Sequence, residues 1–377
     1  MQLIQSILSS NFSFPENTLL FDIETTGLSA DTSYIYLIGA IYLENESLVL
    51  TQWFCDNYSE EKELLLTFQK VLSSFSCLIH YNGTGFDIPY LNKKWNRHCI
   101  PYQIMAEETI DIYKLLLPFK KYTSLKDFKQ KTVEQSAGFH RTDIFSGKDL
   151  TELYTAYTGK YQLATLTGNT KEADQLRQSI LLHNHDDLLG LLTLYQKTKL
   201  LDFLSGKLSP SVLKIPEGIL LSFDIPLLPF SLTLEKNNCQ LIISDNTTDL
   251  FLPIYEGTLK YFFKDYKNYS YLKYEDTAVH NSIAEWIDKE AKEKCKPATA
   301  YQKKESIFLA LPFQKPEQQE ILKKTPLFYQ EYKTLPTFIE YNDTFICTKE
   351  FIFACYESFF NSKFPFRYTN LLHFCPF

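Results

Sequence analysis

The segment Phe21-Asp22-Ile23-Glu24-Thr25-Thr26-Gly27-Leu28 constrains this chain more than any other, because it sets two carboxylates at the end of an apolar run. Leu19, Leu20, Phe21 and Ile23 read as a buried strand that the threonines and Gly27 bring to a close. Side chains alternate across a strand, so Asp22 and Glu24 project from one face. Two acids side by side repel each other and lose hydration under a core, so the pair calls for something positive, and a metal ion is the obvious candidate. Taken alone, the same residues also suit a strand end with a solvated Asp and a capping Glu.

At 377 residues the chain exceeds one ordinary core, and two domains are expected. Hydrophobic content of 45% with 15% aromatics suffices for burial. No run reaches the roughly 18 apolar residues of a membrane helix, and the stretch 213–230 is broken by Lys214, Glu217 and Asp224. The opening MQLIQSILSS lacks a charged n-region, so the chain is expected in the cytoplasm, with no membrane partner. The eight cysteines (Cys55, Cys77, Cys99, Cys239, Cys295, Cys347, Cys355, Cys375) form no C-x-x-C pair, which argues against zinc knuckles, redox motifs and disulfides. A formal charge of −7 argues against coating nucleic acid by long-range attraction but allows a locally basic groove.

Residues 34–43 and 47–54 read as a hairpin about Glu44-Asn45-Glu46. A helix from Glu60 to Phe75, a strand Cys77–Tyr81, a helix Phe86–His98 and a fifth strand Ile110–Ile112 follow. That order describes an α/β fold with a mixed five-stranded sheet flanked by helices. Leu150 to about Phe203 is helical nearly throughout. Pro210, Pro216, Pro226 and Pro229 mark the candidate boundary, giving domains over 1–205 and 206–377. Beyond it, strands are expected at 218–223, 240–244 and 258–263. A helix is expected from Thr277 to Cys295, with Val279, Ile283, Trp286 and Ile287 as its stripe, and a second around Lys349–Phe360 after a hairpin-like EYNDTF turn. The second half is expected to be an accessory α+β domain whose role the sequence does not reveal.

Two further segments carry chemistry. In HYNGTGFDIPY, at a strand-to-helix turn, Asp87 falls in the first helical turn, where exposed N–H groups welcome a carboxylate. In Ile180-Leu181-Leu182-His183-Asn184-His185-Asp186-Asp187, helical spacing turns His183 and Asp187 toward the protein body and leaves Asp186 facing solvent. His185 lies on a different face. Each has a bland alternative, a helix start and a helix with polar residues in its middle.

Together, Asp-x-Glu on a strand, Asn-x3-Phe-Asp at a turn and His-x3-Asp on a late helix resemble the three motifs of the DEDD superfamily of 3′-5′ exonucleases, which have a ribonuclease H-like fold. HYNGTGFDIPYL, GFHRTDIFSGKDLTELY and HNHDDLLGL are most similar to the YprB-type ribonuclease H-like exonuclease domain, over roughly residues 15–200. The resemblance implies that Asp22, Glu24, Asp87 and Asp187 hold two Mg²⁺ or Mn²⁺ ions, hard cations that prefer oxygen ligands and clamp an in-line phosphoryl displacement. It implies hydrolysis at the 3′ end of single-stranded DNA or RNA. His183 stands four residues before Asp187, where such domains usually carry tyrosine, and is expected to assist the attacking water. Thr25 and Leu28 would meet the terminal nucleotide, with Asn82 and Phe86 shaping the pocket. A tract from Lys93 to Lys131, with Lys94, Arg97, Lys114, Lys120, Lys121, Lys126 and Lys129 among Trp95, Tyr113 and Tyr122, would guide the strand by charge and stacking. The alternative is a weakly active or inactive module that binds nucleic acid or protein on the same fold.

Overall fold

A computed structural model describes residues 1–9 and 14–359. The described residues divide into two compact units, Met1–Lys207 with Leu227–Phe230, and Leu208–Pro226 with 231–359.

The first unit is built on a six-stranded sheet in the order β1-β4-β3-β2-β5-β6. Its strands are β1 (Gln2–Ile7), β2 (Thr18–Thr25), β3 (Ile35–Glu44), β4 (Ser47–Phe54), β5 (Cys77–His80) and β6 (Thr109–Asp111). The first four pair antiparallel, while β2–β5 and β5–β6 are parallel. Asn45 and Glu46 both take positive φ, the turn that matches the twist of a two-residue hairpin. The expected five strands thus become six. The addition is β1, whose alternation of polar and apolar residues is weak because all six of its residues are partly or largely exposed at a sheet edge.

Helices α1 (Glu61–Leu72), α2 (Asp87–Arg97), α3 (Ile112–Leu116), α4 (Gln130–Ser136), α5 (Gly147–Thr167), α6 (Lys171–Lys197) and α7 (Leu200–Leu204) complete this unit. Ser146 and Asp149 form a capping box that starts α5, and Gly168 in the left-handed region ends it. Tyr154 of α5 stacks on Tyr36 of β3 with ring centroids 3.9 Å apart, welding the helix to the sheet.

The basic tract is partly structural rather than a strand guide. Lys94 is buried between Glu61 and the Ser33 carbonyl, and Trp95 is fully buried with its indole N–H on the Leu65 carbonyl. A buried charge needs a partner, so Lys94 serves the core and the 2.9 Å Glu61 pair, not a solvent groove. Lys93 and Arg97 bind Asp31.

The second unit is sheet-rich. Strands β7 (Ser211–Ile215), β8 (Gly218–Phe223), β9 (Leu232–Lys236), β10 (Cys239–Ile243) and β11 (Thr248–Phe262) lead into a small antiparallel sheet of β12 (Tyr269–Leu272), β13 (Thr277–His280) and β14 (Lys292–Lys294). Strands β15 (Tyr301–Leu311), β16 (Phe328–Tyr329) and β17 (Thr337–Glu340) return to the larger sheet through β11. The helix expected over Thr277–Cys295 is absent. Thr277–His280 instead pairs with Tyr269–Leu272, and only α8 (Asn281–Ala284) is helical, capped by the His280 side chain. Its would-be stripe is solvated, with Trp286 90% and Ile283 59% exposed. A β-branched start and cross-strand tyrosines prevail over helical spacing here. Tyr341–Phe345 is a strand-to-helix turn, with Asn342 capping α9 (Asp343–Ile346), rather than a hairpin. Helix α10 (Lys349–Phe359) matches the expectation up to Phe360, which lies outside the described residues. The seven described cysteines form no disulfide with one another, and Cys375 lies outside the described residues. No helix among the described residues is long and apolar enough to cross a membrane.

Candidate metal centre

The site lies where β2, the start of α2 and the middle of α6 meet. Asp22 opposes Gly39 and Glu24 opposes Leu37 in the β2–β3 ladder, and the register shifts between Glu24 and Thr25. Both acids therefore emerge on the side covered by α6. That approach is close only because position 39 has no side chain. A Cβ there would stand 2.1 Å from Asn184 Oδ1 and 2.6 Å from Leu188 Cδ1. Asn184, fully buried, accepts from Gln52 Nε2 at 2.9 Å and donates to Asp22 Oδ2 at 2.9 Å.

Asp87 opens α2 after the loop Asn82-Gly83-Thr84. Asp111 holds that loop by accepting from Asn82 N at 2.8 Å, Thr84 N at 3.3 Å and Thr84 Oγ1 at 2.5 Å. His80 Nδ1 accepts from Gly83 N at 3.0 Å, and burial pulls this imidazole down to about 4, so it is neutral near pH 7. The backbone N–H groups of Asp87 itself and of Ile23 favour the charged form of the Asp87 carboxyl.

Asp187 closes the cluster from α6. Its Oδ2 is 3.1 Å from His183 Nε2 and its Oδ1 2.6 Å from Arg141 Nη1. His183 Nε2 also lies 3.9 Å from Glu24 Oε1. Arg141 is held by Glu134 through Nε and, at 2.8 Å, Nη2. Glu134 itself packs against Gly190, where a Cβ would sit 2.1 Å from its Oε2. Two glycines thus admit the two faces of α6 that serve the site.

The electrostatics follow from burial. Desolvation first, then the charges of Asp187 and Asp87, drive Asp22 well above the usual carboxylate range. Desolvation followed by Asp22, Asp187 and Asp87 does the same to Glu24. Burial, reinforced by Asp111 and Asp187 and opposed by the two backbone N–H groups, lifts Asp87 to about 7. Asp187 moves the other way. Burial would raise it, but the His183 hydrogen bond and the Arg141 charge outweigh that and hold it low. All four acids therefore sense one another. Acids such as Asp22, Glu24 and Asp87, which resist ionisation until positive charge arrives, fit hard divalent cations, and among the described residues Glu24, His183 and Asp187 offer ligand atoms within 4.8 Å of one another.

The other expected contacts flank this centre. Leu28 is 89% exposed, Asn82 is exposed with φ 61°, Thr25 Oγ1 donates to the Gly27 carbonyl, and the half-buried Phe86 ring packs 5.3 Å from Tyr90. Asp186 does not face solvent. It is buried and accepts from Thr142 N and Asp143 N, both at 2.8 Å, and from Thr142 Oγ1 at 3.1 Å. Burial raises its pKa, yet these donors outweigh it and hold Asp186 low. Helical spacing could not reveal this, because the partner is a loop more than forty residues away in sequence.

That loop contributes the functional residues that motif reading missed. Asp143 Oδ2 accepts from His183 Nδ1 at 2.7 Å and is also approached by Lys131 Nζ at 3.3 Å. Arg141 and Asp143 stand in the quoted GFHRTDIF phrase, but only their pairing with α6 marks them out.

Residues 19–199 match the family model described as the RNase_H superfamily. No curated protein matches the chain in sequence. Among solved structures, it is similar to the family B DNA polymerase from the hyperthermophilic archaeon Pyrobaculum calidifontis, at 14% identity and a TM-score of 0.39, over 69% of this chain. The match spans 36% of that polymerase chain.

Proposed function

From the premise that residues 19–199 belong to the ribonuclease H superfamily, whose nucleases generally use divalent metals, we propose that this chain is a metal-dependent 3′-5′ exonuclease of the DEDD, YprB-like type. Asp22, Glu24, Asp87 and Asp187 would hold two Mg²⁺ or Mn²⁺ ions. When bound, the ions supply an activated water and stabilise the departing 3′ oxygen. Asn184 orients Asp22 through its 2.9 Å hydrogen bond, and Asp111 fixes the loop that delivers Asp87. His183 serves the same centre from the tyrosine slot. Single-stranded DNA or RNA would enter past Thr25 and Leu28, with Asn82 and Phe86 at the pocket wall. The exposed Leu28 is suited to lie against terminal bases, since an apolar side chain with no core partner gains by covering a base face.

The observation that carries this reading is the convergence of four carboxylates from three separate elements, Asp87 buried and the others half-buried, three of which are pushed upward in pKa. A merely structural cluster of that charge would be replaced by neutral groups at a gain in stability. The test is incubation of end-labelled single-stranded DNA and RNA with Mn²⁺, comparing wild type with Asp22→Ala. Stepwise shortening from the 3′ end that the variant loses supports the enzyme. Tight binding without products in both proteins would instead establish the binding-module alternative.

A further inference from the structure

We infer that His183 is itself a metal ligand, so that one of the two cation positions is a mixed nitrogen–oxygen site formed by Glu24, His183 and Asp187 that prefers Mn²⁺ to Mg²⁺. This rests on the metal-dependent reading above and replaces the expected role of His183 as the base for the attacking water.

The argument starts from the far side of the ring. Nδ1 lies 2.7 Å from Asp143 Oδ2, and the Asp143 side chain is fully buried. A carboxylate accepts, so Nδ1 donates; without metal Nε2 can share a proton with Asp187, and a cation that displaces that proton meets the Nε2 lone pair. That lone pair faces inward, toward Asp187 Oδ2 at 3.1 Å and Glu24 Oε1 at 3.9 Å. Three acceptors aimed at one another are unfavourable unless a proton or a cation sits among them. Ligand atoms about 2.0–2.2 Å from one ion stand roughly 3–3.5 Å apart; the 3.1 Å separation from Asp187 falls in that range and the 3.9 Å separation from Glu24 lies just beyond it. A histidine whose other ring nitrogen is held by a carboxylate is the usual arrangement of a metal-bound imidazole.

The support behind Asp143 is equally deliberate in physical terms. Asp186, one residue before Asp187, grips the N–H groups of Thr142 and Asp143, so the ligand helix itself positions the group that orients its own histidine. Arg141 in the same loop approaches Asp187 Oδ1 at 2.6 Å, while Oδ2 faces His183. A freely acting base needs room for a water between it and the reacting phosphorus, whereas here the imidazole is 5% exposed and already within contact of a carboxylate oxygen. Imidazole is a poor ligand for Mg²⁺, which favours oxygen donors throughout, and a better one for transition-series ions.

The test uses the full chain, stripped with EDTA and titrated with Mn²⁺ or Mg²⁺ by calorimetry, beside electron spin-echo modulation spectra of the Mn²⁺-loaded protein. The wild type is expected to show a ¹⁴N coupling and to bind Mn²⁺ at least about tenfold more tightly than Mg²⁺. His183→Ala should abolish the coupling and weaken Mn²⁺ about 10–100-fold, with Mg²⁺ changed by less than about threefold, and Asp143→Asn should weaken Mn²⁺ about tenfold. If His183→Ala fails to fold, the wild-type spectrum and Asp143→Asn still decide. Mn²⁺ binding with no ¹⁴N coupling overturns the ligand role and leaves the nuclease reading standing. Absence of binding by either ion overturns both.

Discussion

Gly39→Ala tests whether the site depends on the contact between β3 and α6. The new Cβ would stand 2.1 Å from Asn184 Oδ1, more than an ångström inside ordinary contact, and 2.6 Å from Leu188 Cδ1. Asn184 can yield only by leaving Gln52 and Asp22, which strands buried polar groups at about 1–3 kcal/mol. Alternatively α6 lifts as a body, an overpacking cost of about 1–3 kcal/mol. Either route predicts a loss of about 1–3 kcal/mol in the metal-free protein. Urea unfolding followed by tryptophan fluorescence is a suitable assay. Of the three tryptophans, Trp53 and Trp95 are buried in the first unit while Trp286 is already 90% exposed, so the signal reports the first unit. Gly159→Ala in α5, where a Cβ meets nothing within 4 Å, is the control and should gain about 0.5–1 kcal/mol from helix propensity. In an Asn184→Ala background the Gly39→Ala cost should shrink by about 1 kcal/mol or more. A loss under about 0.5 kcal/mol, or one unchanged in that background, would refute the reasoning.

Further expectations follow from the same contacts. Asp87 has its folded pKa raised from 3.8 to about 7, so its contribution favours the fold at low pH and fades as pH climbs through that window. The rise in Tm that Mn²⁺ confers should accordingly be larger at pH 7.5 than at pH 5, and Asp87→Asn should flatten the metal-free pH profile; equal Tm gains at both pH values would contradict this. Asp186, held low by backbone donors, stabilises above its unfolded pKa and loses that contribution on acidification, so Asp186→Ala should cost about 2–4 kcal/mol at pH 7, read by urea unfolding, and less in acid. Trp286→Ser should leave stability within about 0.5 kcal/mol, because the ring is solvated; a larger thermal shift would revive the helix read from spacing. Arg141→Gln should raise the pH at which Asp187 ionises, seen as a carboxyl resonance moving to higher pKa by NMR.

Sequence alone determined the elements whose information is local. The Asp22/Glu24 strand, the Glu44-Asn45-Glu46 hairpin and the helix opened by Asp87 each follow from periodicity, turn residues and end preferences within a few positions. The four acids stood out as a set through the resemblance of their three motifs to the DEDD pattern, each segment by itself also allowing a structural role. Tertiary structure decided what those acids touch. The burial of Asp186 and the pairings Asp143–His183 and Arg141–Asp187 join α6 to a loop some forty residues before it, and no spacing rule spans such a gap. Between Thr277 and Cys295 helical spacing lost to strand pairing with Tyr269–Leu272, since hydrogen-bonding partners supplied by a distant segment outweigh a propensity worth tenths of a kcal/mol per residue. The physical reason is the same throughout: local sequence sets backbone preference, whereas charge state and metal-binding capacity depend on which groups burial brings within a few ångströms.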